Sequence, residues 1–173
     1  MKNIIKTLIL TGSMAALSLS PAIAQDAAAT DDTAYISGGV GYYDIMDDDG
    51  AADFRMEYRS GHKYFWHIKP WAGIEATTDG SVWGGGGILA DIPVTDNIYL
   101  APSFGAGLYA QGSSDKDLGS VIEFRSQIEG GYKFDNNHRV GVAFGHISNA
   151  SIGDKNPGTE ILNVYYHIPV GGL

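Results

Sequence analysis

From residue 34 onward the chain alternates. Eight runs of roughly ten residues carry apolar side chains at every second position, separated by turn signals, near 34–44, 51–60, 65–77, 81–93, 98–109, 118–132, 139–148 and 160–170. A strand turns successive side chains to opposite faces, so a period of two means one apolar face and one polar face. The second and sixth runs show it best. Ala52, Phe54, Met56 and Tyr58 alternate with Asp53, Arg55, Glu57 and Arg59, and Ile122, Phe124 and Ile128 with Glu123, Arg125, Gln127 and Glu129. No stretch keeps a helical period for long. The chain reads as all-β.

Alternation alone does not separate a soluble sandwich, apolar side inward, from a membrane barrel, apolar side outward to lipid. Three features favour an eight-stranded antiparallel up-and-down transmembrane β-barrel over a secreted β-sandwich. An even strand count closes without an edge, as a bilayer requires. Tyr and Trp gather near run ends (Tyr42, Tyr43, Tyr58, Trp66, Trp71, Trp83, Tyr99, Tyr109, Tyr132, Tyr165, Tyr166), as an interfacial girdle would have them. Charges on the polar face, Arg55 and Arg59 with Glu57 and Glu123 with Arg125, suit a small lumen filled by ion pairs. Gly84 to Gly87 lead into no helix, so they read as barrel curvature rather than a phosphate loop.

The ends bound the rest. Lys2 and Lys6, the apolar stretch Thr7 to Ser20 and the small-x-small Ala22-Ile23-Ala24 read as a secretory signal peptide over 1–24, cleaved after Ala24. Residues 25–33 read as a flexible leader, and 34–173 as one barrel domain. Loss of the two signal lysines moves the formal charge from −9 to −11, which argues against nucleic acid as a partner. An exported chain with no Cys takes its stability from its fold. With both ends in the periplasm, the links after runs one, three, five and seven point outward. Those after runs five and seven are long, and the one around Thr78-Asp79-Gly80 is short. The terminal Leu173 stands where barrels of this class carry an aromatic residue.

Polar residues on the apolar face need a reason to be there. His146, Ser148 and Glu160 share parity with Val140, Val142, Phe144, Leu162, Val164 and Ile168, so they fall on the same wall. Residues i and i+2 on a strand lie about 6.6 Å apart and point the same way, which lets His146 accept the Ser148 proton. Glu160 opens the next strand and returns beside His146, where a carboxylate would fix the imidazole tautomer. Asn149, Asn156 and Gly153 in the loop between them are expected to supply oxyanion donors or loop support; Asn, Pro and Gly are also ordinary turn residues. Val142, Phe144, Leu162 and Val164 are expected to line an acyl groove.

The segment Phe144-Gly145-His146-Ile147-Ser148-Asn149-Ala150, followed by Asn156-Pro157-Gly158-Thr159-Glu160, resembles the lipid A 3-O-deacylases (PagL family) of Gram-negative outer membranes. The likeness rests on His-x-Ser-Asn with a Glu twelve residues after the Ser, within residues 140–170. It implies an eight-stranded barrel whose outer wall carries a Ser-His-Glu triad and removes the ester-linked acyl chain at the 3-position of lipid A. Ser148 would be nucleophile, His146 base and Glu160 orienter, with Asn156 and a backbone amide at the oxyanion. The family has Gly two residues after the motif Asn, where this chain has Ser151. The implied partners are lipid A or lipopolysaccharide and outer-membrane lipid. Ester hydrolysis by serine calls for no cofactor.

Other groupings read as structural. Asp47-Asp48-Asp49-Gly50 lacks the spacing of a calcium loop, and His62, His67, His138 and His167 lack zinc-ligand spacing. His167 falls on the lumen face, and Lys155 is placed to meet a lipid phosphate. Two competing readings remain: a non-enzymatic barrel serving adhesion or structure, and an esterase acting on another lipid. The sequence leaves the oligomeric state open.

Overall fold

A computed structural model describes residues 33–47, 50–114 and 116–170. The signal peptide, residues 25–32 of the leader and Leu173 lie outside the described residues. Nine strands follow in order: β1 (Ala34–Tyr43), β2 (Ala51–Arg59), β3 (Ile68–Thr77), β4 (Val82–Ala90), β5 (Ile92–Pro93), β6 (Ile98–Ala110), β7 (Ile122–Lys133), β8 (Arg139–Ser148) and β9 (Thr159–Val170). All pairings are antiparallel, in the order β4-β3-β2-β1-β9-β8-β7-β6-β5, and β4 also pairs with β6. That last pairing closes the sheet. The eight long strands are the staves of a closed barrel, and β5 is a two-residue remnant where the fourth run breaks at Asp91. The sandwich reading is excluded by closure.

Two loops shorten the expected runs. The third begins at Ile68 because Trp66 takes a φ of 50° and Phe65 bridges back to Ile68 in a turn. The sixth begins at Ile122, after a loop that caps the barrel end. The links after β1, β3, β6 and β8 share one end of the barrel, here the loop end, and both termini lie at the other, the terminal end.

Burial is inverted relative to a soluble protein. Asp53, Arg55, Glu57 and Arg59 are buried, while Phe54, Met56 and Tyr58 between them are 52%, 62% and 50% exposed. Buried charge is tolerable only when paired, and the lumen is a network of pairs. Arg55 meets Asp53 and Glu75 at 2.8 Å each, and Arg59 meets Glu57 at 3.0 Å and Glu129 at 2.7 Å. His167 joins it as the parity predicts, with Nδ1 2.7 Å from Ser37 Oγ and Nε2 3.0 Å from Glu129. The expected Glu123–Arg125 pair does not form. Arg125 reaches across the lumen to Glu57 and lies over the Trp71 ring at 4.1 Å, leaving Glu123 without an ion pair among the described residues.

The girdle needs a second correction. Tyr43, Trp71, Trp83, Tyr99, Tyr109 and Tyr165 are buried inside the barrel, and Tyr42, Tyr58, Trp66, Tyr132 and Tyr166 are the outward ones. Composition near run ends does not distinguish faces; parity does. Of the inward aromatics, Tyr43, Trp71, Trp83 and Tyr109 build an apolar cluster with Leu118, Ile147 and Ile161. The glycine run of β4 serves close approach: a Cβ on Gly87 would stand 2.0 Å from the Phe104 carbonyl oxygen of β6.

Candidate active site

The hairpin β8–β9 sets His146 directly opposite Glu160 as a Cα pair. Because both lie on the outer face, their side chains meet there, with His146 Nδ1 3.0 Å from Glu160 Oε1. A carboxylate only accepts, so the shared proton belongs to Nδ1 and the free lone pair sits on Nε2. The pair is partly open, the His146 side chain 39% and that of Glu160 29% exposed. Ser148 follows two residues on, on the same face and half-buried, opposite Phe124 of β7.

Gly158 bears on the imidazole directly. It takes a φ of 67°, and a Cβ there would stand 2.6 Å from His146 Cε1 and 3.1 Å from Nε2. The loop backbone thus backs the edge of the ring that carries the free lone pair. Gly158 immediately precedes Thr159, the partner of Ile147, which brings it beside Ser148. Gly158 is half of a Pro-Gly turn, and the local sequence carries no sign of the contact.

The loop 149–158 is tied down by Asn149. Its backbone N–H donates to Asn156 Oδ1 at 2.9 Å, and its amide Nδ2 donates to the carbonyls of Leu118 at 2.8 Å and Lys155 at 2.7 Å. All its donors are committed, so it supports the loop. Its Oδ1 accepts from Ser151 N–H at 2.9 Å, and Ile152 N–H closes on its carbonyl at 3.1 Å. Ala150 and Ser151 between them have φ of 52° and 63°. Ser151 therefore adopts the left-handed conformation that glycine takes most readily. Asn156 keeps its Nδ2 exposed, 3.5 Å from Ser151 Oγ. Gly153 lies against the Gly119 carbonyl oxygen, which a Cβ would approach to 2.5 Å.

Two further ties reach from the neighbouring loops. Lys155 pairs with Asp117 at 2.8 Å rather than standing free. That hydrogen bond, with another from the Gly119 N–H, holds the Asp117 carboxyl below its usual range. Thr159 Oγ1 donates to Asp44 Oδ1 at 3.0 Å, and Lys116 pairs with the same Asp44 at 2.8 Å. Of the groove residues, Val142, Phe144, Leu162 and Val164 all face outward, 54%, 40%, 39% and 54% exposed. Among the described residues no group of three or more His, Cys, Asp or Glu is arranged to hold a metal ion.

Fold and site together define a small inside-out β-barrel of the membrane type with a polar cluster on its outer wall. The profile of the lipid A 3-O-deacylase (PagL) family matches residues 52–169. The chain belongs to that family. It is 32% identical over 72 residues to the lipid A deacylase PagL of Bordetella bronchiseptica, across 41% of this chain and 40% of the relative. To the lipid A deacylase PagL of Pseudomonas aeruginosa it is 41% identical over 56 residues, 32% of each chain. The chain thus matches less than half the length of these curated relatives. The crystal structure of the outer membrane enzyme PagL superposes with a TM-score of 0.63 at 23% identity, covering 79% of this chain and 99% of that one. A de novo designed transmembrane β-barrel reaches 0.52 at 14% identity, covering 81% and 98%. Those two likenesses are of fold.

Proposed function

We propose that this protein is an outer-membrane esterase, exported by cleavage after Ala24, that hydrolyses the 3-O-linked acyl chain of lipid A. The observation that carries the reading is the 3.0 Å His146–Glu160 contact on an otherwise apolar wall, with Ser148 two residues along the same strand. A hydrogen-bonded His–Glu pair facing hydrocarbon has no packing role, and at the loop end it sits at the height where an outer-leaflet acyl ester meets water. Family membership points to the same ester.

In this mechanism His146 Nε2 takes the Ser148 hydroxyl proton as Oγ attacks the ester carbonyl. Glu160 stabilises the imidazolium that forms. Asn156 Nδ2 and a backbone N–H of the loop stabilise the oxyanion, Asn149 and Gly153 holding the loop in place. The imidazolium then protonates the departing sugar oxygen, leaving an acyl-serine. Water, deprotonated by the same nitrogen, attacks the acyl-serine and releases the fatty acid and the free Ser148 hydroxyl. Val142, Phe144, Leu162 and Val164 form the apolar wall beneath the site. No cofactor enters.

The test is mass spectrometry of lipid A from a Gram-negative host expressing the wild-type chain or Ser148→Ala. Loss of one 3-hydroxyacyl chain with wild type alone is expected. Unchanged lipid A, with both proteins folded in the membrane, would sink the reading in favour of another lipid ester or a non-enzymatic barrel.

A further inference from the structure

The residues around Ser148 also determine where the acyl chain goes, and the strand register decides it. Consecutive Cα partners form the row Tyr43–Ile161–Gly145–Gln127–Ser103–Leu89–Lys69. It begins at the last residue of β1, at the loop end, and finishes one residue inside β3, at the terminal end. The strands are therefore tilted, as closure of a barrel requires. Stepping sideways from β9 to β8, β7 and β6 also descends along the barrel axis.

Applied to the site, the row Glu160–His146–Ser126–Phe104 slopes from the loop end downward. Glu160 is its highest member. A chain that leaves Ser148 parallel to the axis, as lipid tails run in a bilayer, crosses β7 toward β6. On the β9 side its way is taken by the His146–Glu160 pair. On the β7 side it finds Ser126, a small exposed side chain between two rings: His146 on one flank and Phe104 on the other. Phe104 stacks on Phe124 with centroids 6.0 Å apart and planes at 10°, and Phe124 is the Cα partner of Ser148. Below Ser126, Ile128 is 51% exposed and apolar.

We propose that the acyl chain of the substrate occupies a trough floored by Ser126 and walled by Phe104, Phe124 and His146, descending over β7 toward β6 rather than over β9. The inference rests on the esterase reading and assigns its substrate path. Ser126 is a specificity determinant in it. Its small size leaves room beside the imidazole, and Phe104 supplies the apolar wall that a long chain contacts and a short one does not reach.

The experiment uses the whole barrel in detergent micelles, with p-nitrophenyl butanoate and decanoate as short and long esters. Ser126→Leu fills the floor of the trough, and the ratio of long- to short-ester turnover is expected to fall by about tenfold or more, the scale at which an apolar site discriminates chain size. Phe104→Ala removes the far wall and is expected to lower the same ratio, so the test survives if the leucine variant misfolds. Heat-modifiable gel mobility reports folding. An active wild type, with the ratio unchanged in folded variants, overturns the trough alone. A ratio that responds instead to Leu162→Trp places the chain over β9 and overturns it as well. A folded wild type that cleaves neither ester nor lipid A overturns the esterase reading and this proposal together.

Discussion

At the scale of single residues, the outer wall is a place where chemistry must be argued against hydrophobicity. His146, Ser148 and Glu160 were legible because strand parity is absolute: a one-residue slip would have turned all three into the lumen. Gly158 was not legible, since its contact with the imidazole depends on how the loop returns. Its role can be separated from mere backbone tolerance. Asn accepts a positive φ more readily than Ala, yet both add the Cβ that collides with His146. Gly158→Asn and Gly158→Ala are therefore both expected to lower kcat, by about 10²-fold if the imidazole shifts by an ångström, with KM little changed. Recovery of wild-type kcat by the Asn variant would show that only the backbone conformation matters.

At the scale of elements, the loop 149–158 is held by side chains rather than by a ladder. Asn149 alone satisfies two carbonyls from two different segments, at Leu118 and Lys155. Asn149→Ala would leave the Leu118 oxygen buried and unpaired and remove the part-buried tie to Lys155, at a cost of about 1–3 kcal/mol. Hydrogen exchange of the 149–158 amides is the direct measure. Faster exchange confined to this loop and to 116–121, with the strands protected as before, is expected; no change would mean the loop is held by other contacts. The sequence identified this loop as long and polar, and Ser151 as a departure from glycine. It did not show that Ser151 would adopt the left-handed conformation regardless, since the Asn149 side chain and the turn closed by Ile152 impose it from outside the residue.

At the scale of the whole molecule, the barrel is organised around a paired-charge interior. Glu57 sits at its centre, accepting from Arg59, Arg125 and Tyr165. Removing one partner of a buried network strands the others, so Glu57→Leu is expected to destabilise the barrel by about 3–5 kcal/mol. The measure is the urea midpoint of unfolding from lipid vesicles, read by heat-modifiable mobility; a midpoint within error of wild type would mean the lumen charges are screened by water. The outer wall should respond oppositely, being built for hydrocarbon rather than for pairing.

What the sequence by itself determined is what period and parity can carry: eight staves, their faces, the inward charges and the outward His, Ser and Glu. Those follow from covalent geometry, because each side chain's face depends only on its position along an extended backbone. The tertiary structure decided everything that requires two segments to meet. It chose Glu57 over Glu123 as the partner of Arg125 and brought Gly158 against His146. It also set the tilt of the strands, and with it the line from Ser148 across Ser126. Register and closure are properties of the sheet as a whole, and no single run of residues contains them.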